Sequence, residues 1–251
     1  MDLELTGKRA LVTGGSRGIG KAIARQLALE GADVAIAARD KARIEATVAE
    51  LSAESGRAMF GTTLDAADGK SITQMVQASA DALGGIDILV NGAARPGGQV
   101  PPLRWDAVTE ESLFEELQVK LLGYLRVAQA VVPYMIAGHW GRVINISGLA
   151  ARQAGSVIGS VRNVAVAAMS KNLADELAPH GINVVTVHPG MTRTEATTPE
   201  VEARPASNLV GRLIDSTEVA YVVAFLASPK SVAIDGDAIA AGGGVPSVIH
   251  Y

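Results

Sequence analysis

The stretch that most constrains the fold runs from Ala10 to Gly20 and reads ALVTGGSRGIG. A short apolar run ends at Thr13, glycines follow at TGxxxGxG spacing, and a helical pattern begins at Lys21. A buried strand, a glycine turn and a helix start form a phosphate cradle, because the helix N-terminus offers free N–H groups and partial positive charge. Glycine clusters alone are usually turns, but this one opens a βα repeat, so it predicts a dinucleotide site. The glycines that would shape this turn are Gly14, Gly18 and Gly20.

The rest of the chain alternates strand-like and helix-like runs without a linker. The predicted strands cover residues 10–13, 34–38, 58–62, 86–90, 143–146, 183–187 and 238–240. The predicted helices cover residues 21–30, 41–55, 69–83, 110–137, 157–177 and 217–227, with Thr109 as a cap of the fourth. This pattern predicts one α/β domain over residues 1–251, a Rossmann fold with a doubly wound, seven-stranded parallel sheet and helices on both faces.

Composition narrows the function further. The chain has 251 residues, 48% of them hydrophobic, which is enough for one sizeable core. A net charge of -4 without a basic run argues against nucleic acid as a partner. The absence of cysteine excludes disulfides, zinc–thiolate sites and a cysteine nucleophile, and we find no metal-ligand cluster. We see no signal peptide and no apolar run long enough to span a membrane, so we expect a cytoplasmic protein without a membrane partner.

The choice between NAD and NADP depends on the end of the second predicted strand. A chain that prefers NAD usually carries Asp or Glu there, but here Ala38 and Arg39 take that place. Arg17 lies in the glycine turn, and two guanidinium groups suit a ribose 2′-phosphate. The sequence therefore favours NADP(H) over NAD(H), with solvated surface arginines as the alternative interpretation. Asp65 is either an acceptor for the adenine amino group or a helix cap before Asp68.

In a sheet of this kind the ligand lies beyond the carboxyl ends of the strands. The residues that follow each strand are therefore predicted to bind the cofactor. They are Gly14, Ser16, Arg17, Gly18, Ile19, Gly20, Arg39, Asp65, Asn91, Gly92, Ala93, Pro189, Gly190 and Thr192.

Several motifs together resemble those of the short-chain dehydrogenase/reductase family. They are TGGSRGIG at 13–20, DILVNGAA at 87–94, RVINIS at 142–147, LADELAPHGINVVTVHPGMTRT at 173–194 and GGG at 242–244. The resemblance covers essentially the whole chain, with two departures: Gly92 stands where the family has a second Asn, and Ala94 where it has Gly. It implies a nicotinamide-dependent oxidoreductase that acts on a carbonyl or alcohol.

The family's chemistry implies four side chains, and this chain departs from all four. The tyrosine that exchanges the proton falls on Gly159, and the lysine four positions later falls on Asn163. The serine that binds the substrate oxygen falls on Gly148, with Ser147 just before it. The asparagine of the long middle helix falls on Lys120. No YxxxK occurs, and the chain's tyrosines are Tyr124, Tyr134, Tyr221 and Tyr251.

A few side chains are candidates to replace the lost groups. Lys120 is either an acid with a lowered pKa or a snorkelling helix lysine, Ser147 offers a hydroxyl, and His188 is either a titrating group or a packed histidine. Arg162 is either half of a salt bridge or an oxyanion clamp. Arg95 either binds an acidic group of a ligand or lies in solvent.

Three hypotheses follow from these residues. The first is a pseudoenzyme that binds NADP(H), or the inactive partner of a catalytic sister subunit. The second is an NAD(P)-dependent oxidoreductase with a rebuilt site, and the third is a non-redox enzyme on the same scaffold. In each case we expect a small-molecule ligand. The family resemblance further implies a homodimer or homotetramer, in which the apolar middle helix and the helix from Val157 pair with their copies.

Overall fold

The computed structural model describes residues 1–94, 104–204 and 207–247, and its elements alternate as the sequence predicts. The strands are β1 (Arg9–Thr13), β2 (Asp33–Ala38), β3 (Met59–Thr63), β4 (Ile88–Asn91), β5 (Gly141–Ile146), β6 (Ile182–Pro189), β7 (Thr192–Arg193), β8 (Ile214–Asp215) and β9 (Ala238–Ala241). The helices are α1 (Gly18–Leu29), α2 (Lys41–Ser55), α3 (Gly69–Leu83), α4 (Glu110–Leu117), α5 (Gly123–Ala137), α6 (Val157–Leu177), α7 (Pro199–Glu202) and α8 (Ser216–Ala227).

Seven of the strands form one parallel sheet in the order β3-β2-β1-β4-β5-β6-β9, which confirms the predicted doubly wound fold. Strands β4, β5 and β6 are buried along their whole length, as expected when helices cover both faces of a parallel sheet. One apolar cluster joins α1 and α8 to one face of the sheet, and a second joins α3 and α5 to the other. The order places the topological switch between β1 and β4, where a ligand of such a sheet binds.

A row of polar side chains crosses the sheet near the carboxyl ends of β4, β5 and β6. Asn91 on β4 stands opposite Asn145 on β5, which stands opposite Thr186 on β6. The Asn91 amide donates to Asn145 Oδ1 at 2.9 Å, and the Asn145 amide donates to Ser170 Oγ of α6 at 2.9 Å. Thr186 Oγ1 also donates to Ser170 Oγ, at 2.8 Å. These side chains therefore join three strands and one helix beneath the edge that carries the site.

The helix predicted over residues 110–137 has a break that the sequence analysis missed. A capping box at Thr109 starts α4, as predicted, but residues Gln118–Leu122 form a wider π-helical turn before α5 continues. A Cβ on Gly123 would lie 2.8 Å from Ala66 O, so only glycine permits this approach to the chain before α3. Single π turns inside helices are frequent at functional sites, and this one contains Lys120.

Within the described part of the chain, the run Glu110–Ala137 is also long and apolar enough to cross a membrane by length and composition. The sequence predicts no apolar run long enough to span a membrane, and this prediction is wrong for Glu110–Ala137. In its most apolar stretch of 18 residues, 39% of the stretch is buried. The run packs against α3 and the sheet. The Lys120 side chain in its middle is buried inside the domain, so this run behaves as a helix of the folded core.

Candidate functional site

A cleft with a volume of about 1360 Å³ opens at the carboxyl ends of the parallel strands. This volume exceeds the roughly 300–1,000 Å³ of pockets that hold one drug-sized ligand, so the cleft has room for a large ligand or for two. Every predicted cofactor residue except Asn91 lines it, as do Lys120 and Ser147. The structure therefore brings together residues from seven separate stretches of the chain, and all of them except Lys120 lie at or just beyond the end of a strand, as the rule for doubly wound sheets predicts.

The glycine turn (residues 13–20) is closed by its neighbours. Thr13 Oγ1 accepts hydrogen bonds from the N–H groups of Gly92 and Ala93, at 3.1 and 3.3 Å. Gly14 has φ +74°, and a Cβ there would lie 2.7 Å from Gly92 O. A Cβ on Gly20 would lie 2.2 Å from Gly14 O. Only glycine fits at these two positions, as a phosphate cradle requires, so this part of the cleft fits a dinucleotide.

Asn91 lies apart from the other predicted cofactor residues. Its side chain is fully buried between β4 and β5, where it takes part in the polar row, and it does not reach the cleft. It fixes the strand end from which Gly92 and Ala93 continue to the glycine turn. The side chain of Asn91 is thus held within the sheet, and its predicted part in cofactor binding stays a prediction.

The adenosine end of the cleft carries both predicted arginines. Arg17 and Arg39 are exposed side chains on its rim, and Ala38 lies beside them. Asp65 also lines the cleft, but its carboxylate accepts the Ala67 N–H at 3.0 Å and so holds the turn before α3. The N-cap of α3 is Asp68. Asp65 therefore stabilises the turn before the helix and is not the helix cap itself.

Lys120 points into the domain, so the alternative of a snorkelling surface lysine is wrong. Its side chain is buried, and its amine donates to Ser147 O at 2.8 Å and to Asn163 Oδ1 at 3.0 Å. Burial, together with the charge of the Arg162 guanidinium and against the opposing charge of Glu116, lowers the pKa of the amine to about 7. With this pKa, the buried amine of Lys120 changes charge near neutral pH.

The residues around this amine are held by hydrogen bonds and close packing. Ser147 Oγ donates to the backbone oxygen of Asn163 at 3.0 Å, so its proton is directed towards α6. A Cβ on Gly148 would lie 3.1 Å from Asn163 Nδ2, so the Asn163 amide packs where a side chain at 148 would begin. Gly159 lies in the first turn of α6, where its N–H donates to the N-cap Ser156.

Three further candidate side chains are Arg162, His188 and Arg95, of which the structure describes the first two. Arg162 forms an ion pair with Glu116, which confirms the salt-bridge interpretation. His188 is buried within β6 opposite Ala240 of β9, as the packed-histidine alternative predicts, and it is absent from the described lining of the cleft. Arg95 lies outside the described residues.

Sequence reasoning missed Tyr124, which forms part of the cleft wall. Its hydroxyl donates to Ile146 O at 3.1 Å, and burial raises the pKa of the phenol. The available signal was its spacing, since it follows Lys120 by four residues on the same helical run. The phenol donates its hydrogen bond inside the protein and supports the wall of the cleft.

A doubly wound sheet with a closed glycine turn at its switch point defines a dinucleotide-binding protein. The model of the short chain dehydrogenase family matches residues 8–205, and the chain belongs to that family.

Known relatives and solved structures agree with this assignment. The chain is 34% identical to the 3-oxoacyl-[acyl-carrier-protein] reductase FabG of Vibrio cholerae, over 97% of this chain and 99% of the relative. It is 34% identical to the short-chain reductase protein NovJ of Streptomyces niveus, over 94% and 93%. A short chain dehydrogenase of Burkholderia cenocepacia in complex with NADP superposes with a TM-score of 0.85 at 34% identity, over 96% and 98%. L-sorbose reductase of Gluconobacter frateurii, complexed with NADPH and L-sorbose, gives 0.91 at 25% identity, over 99% and 100%.

Proposed function

We propose that this protein is a cytoplasmic, NADP(H)-binding member of the short-chain dehydrogenase/reductase family that lacks the family's Tyr/Lys proton relay. It would act as a pseudoenzyme or as the inactive partner of a catalytic subunit. The observation that carries the proposal is a contrast within one cleft. The glycine turn is closed around Gly14 and Gly20, whereas Gly148 in the cleft lining and Gly159 in the first turn of α6 carry no side chain to offer to a reacting oxygen.

The chemistry explains why this contrast matters. NADP(H), when bound, supplies or accepts a hydride, and negative charge then develops on the oxygen of a carbonyl substrate. A positioned acid contributes typically ~10²–10⁴-fold to the rate of such a step. The residues at the relay positions hold the cleft together instead, since Asn163 accepts from Lys120 and Ser147 donates to the backbone of α6.

The cofactor itself is supported by the rim of the cleft and by the neighbours. Arg17 and Arg39 stand where the 2′-phosphate of an NADP adenosine would lie, and they would hold it. The Burkholderia cenocepacia and Gluconobacter frateurii proteins were crystallised with NADP and NADPH. We infer that the cofactor of this protein is NADP(H) rather than NAD(H).

Titration with NADPH and with NADH, followed by nucleotide fluorescence, tests the proposal. We expect NADPH to bind with a Kd in the micromolar range, NADH to bind more weakly, and ordinary ketones to leave bound NADPH unoxidised. A protein that binds neither nucleotide would contradict the cofactor assignment. Rapid oxidation of NADPH by simple ketones would contradict the loss of the relay.

Replacement of Arg39 by Ala should remove much of the preference for NADPH. Loss of a charge-assisted hydrogen bond to the 2′-phosphate is expected to raise the Kd for NADPH about tenfold while the Kd for NADH changes little. The matched control is Lys41→Ala. It removes the same positive charge two positions further along the chain, and Lys41 is not among the described residues that line the cleft. Equal losses for the two nucleotides, or equal effects of the two substitutions, would place the 2′-phosphate elsewhere.

Lys120 favours a second candidate function, an oxidoreductase with a rebuilt site. Its amine lines the cleft, is buried, and has a pKa near 7, which suits a proton donor at neutral pH. On this candidate, turnover of NADPH with a carbonyl compound would depend on pH and would be lost in Lys120→Met. Turnover that survives in the variant would exclude Lys120 as the donor.

We also propose that the protein assembles with copies of itself or with a catalytic sister subunit. Large apolar side chains stay exposed on α4 and α6, the helices that the family resemblance assigns to assembly. They are Phe114, Val157, Val161 and Val164. Light scattering after size exclusion tests this, and a monomer at micromolar concentration would contradict the homo-oligomer.

A further inference from the structure

A carboxylate of this chain lies on the glycine turn. The Gly18 N–H donates to both carboxylate oxygens of Glu195, at 2.8 and 3.1 Å, although the two residues are 177 positions apart. Within the described part of the chain, α1 has no side-chain cap of its own at Arg17 and no acidic residue in its first turn. Glu195 therefore supplies the negative cap that this helix otherwise lacks.

The carboxylate is delivered by an ordered turn. Thr194 N–H donates to Thr197 Oγ1 at 2.9 Å, and Thr197 N–H returns a hydrogen bond to Thr194 O at 3.0 Å. The strand just before this turn, β7, pairs with β8, and Arg193 forms ion pairs with Glu202 and Asp215. These contacts hold the segment over the turn, so that a Cβ on Gly18 would lie 3.5 Å from Thr194 Cγ2.

The same N–H group is the one that a dinucleotide needs. The N-terminal amides of the helix after a glycine turn hold the pyrophosphate in proteins of this architecture. A carboxylate and a phosphate oxygen cannot both occupy the space in front of Gly18, and two anions at one place repel each other. Both groups satisfy the same requirement, which is negative charge at the helix N-terminus.

We propose that Glu195 is an internal ligand that competes with the phosphates of the dinucleotide, so that the cofactor binds only after the Glu195 carboxylate has left Gly18. This inference rests on the proposed NADP(H) binding. It adds that the segment from β7 to α7 changes position between the free and the nucleotide-bound protein. The intrinsic affinity of the cradle is therefore higher than the affinity that the whole protein shows.

The test compares Glu195→Gln with Glu200→Gln. Both substitutions remove one negative charge from the same segment, but the Glu200 carboxylate is exposed and contacts Thr198 rather than the glycine turn. We expect the Kd for NADPH to fall about fivefold in Glu195→Gln and to stay unchanged in Glu200→Gln. An unchanged or raised Kd in Glu195→Gln, or an equal fall in both variants, would overturn the proposal.

Hydrogen exchange of the Gly18 amide, measured without nucleotide, separates this proposal from the proposed function. The amide should exchange faster in Glu195→Gln and in Glu195→Ala than in the wild type or in Glu200→Gln, because its acceptor is weakened or removed. Faster exchange together with no NADPH binding in any variant would keep the contact but overturn both the competition and the cofactor assignment. Unchanged exchange would overturn the contact and the competition that rests on it, and it would leave the cofactor assignment standing.

Discussion

Gly20→Ala is expected to destabilise the protein by about 3 kcal/mol, the upper end of the range for overpacking, and to abolish nucleotide binding. The new Cβ would lie 2.2 Å from Gly14 O, 2.8 Å from the Gly14 carbonyl carbon and 3.2 Å from Gly15 N. All three are backbone atoms, so neither a rotamer change nor a small shift of a flexible side chain relieves the contact. The turn or the first turn of α1 must move, and both form the phosphate cradle.

Urea unfolding and NADPH titration measure the two effects, and Gly69→Ala is the matched control. Gly69 is the first residue of α3, it is exposed, and a Cβ there meets nothing within 4 Å. Alanine at that position should leave stability unchanged or slightly raised, because alanine favours helix more than glycine does. If Gly20→Ala unfolds at the same urea concentration as the control and still binds NADPH, the close packing of the turn is not what shapes the site.

Lys120→Met should remove a strong dependence of stability on pH. The pKa of the amine is 10.5 in the unfolded chain and about 7 in the folded protein, because burial opposes its charge. Between these two values the unfolded chain binds more protons than the folded protein does, so stability rises as pH rises through this window. From about pH 7 to about pH 9 the wild type should gain roughly 2 kcal/mol relative to Lys120→Met.

Urea unfolding of both proteins at the two pH values gives this difference, and groups common to both cancel in it. Lys70→Met is the control, because the Lys70 side chain is exposed on α3 and its replacement removes the same charge. At a fixed pH, loss of the donor to Ser147 O and Asn163 Oδ1 should also destabilise the methionine variant, since both acceptors stay buried. A difference between the wild type and Lys120→Met that stays constant from neutral to alkaline pH would show that the amine keeps an ordinary pKa.

The sheet and the cradle were predictable because each depends on local patterns. The runs around β1 and β4 are continuously apolar, which is the pattern of strands buried on both faces. The glycine spacing in the turn indicates that backbone segments approach closely there. The structure shows this close approach at Gly14 and Gly20, which the sequence predicts to shape the turn. The residues at the strand ends followed from the rule that places ligands there.

Features that depend on side-chain direction were not predictable from the sequence. Periodicity marks residues 110–137 as one helix, but the π turn that directs Lys120 inward arises from packing against the rest of the domain. Asn91 was placed in the cleft because it follows a strand, whereas its amide faces Asn145 within the sheet. The contact between Glu195 and Gly18 joins distant parts of the chain, and no local signal announces it.

The polar row across β4, β5 and β6 has a consequence for how the site is assembled. Uniformly apolar neighbouring strands have little to distinguish the correct alignment from one shifted by two residues. A shift between β4 and β5 would break the hydrogen bond from the Asn91 amide to Asn145 Oδ1 in a dry interior, which costs more than a displaced valine. The row therefore favours the correct strand alignment, and it keeps the residues just beyond it, Gly92 and Ile146, level with each other in the wall of the cleft.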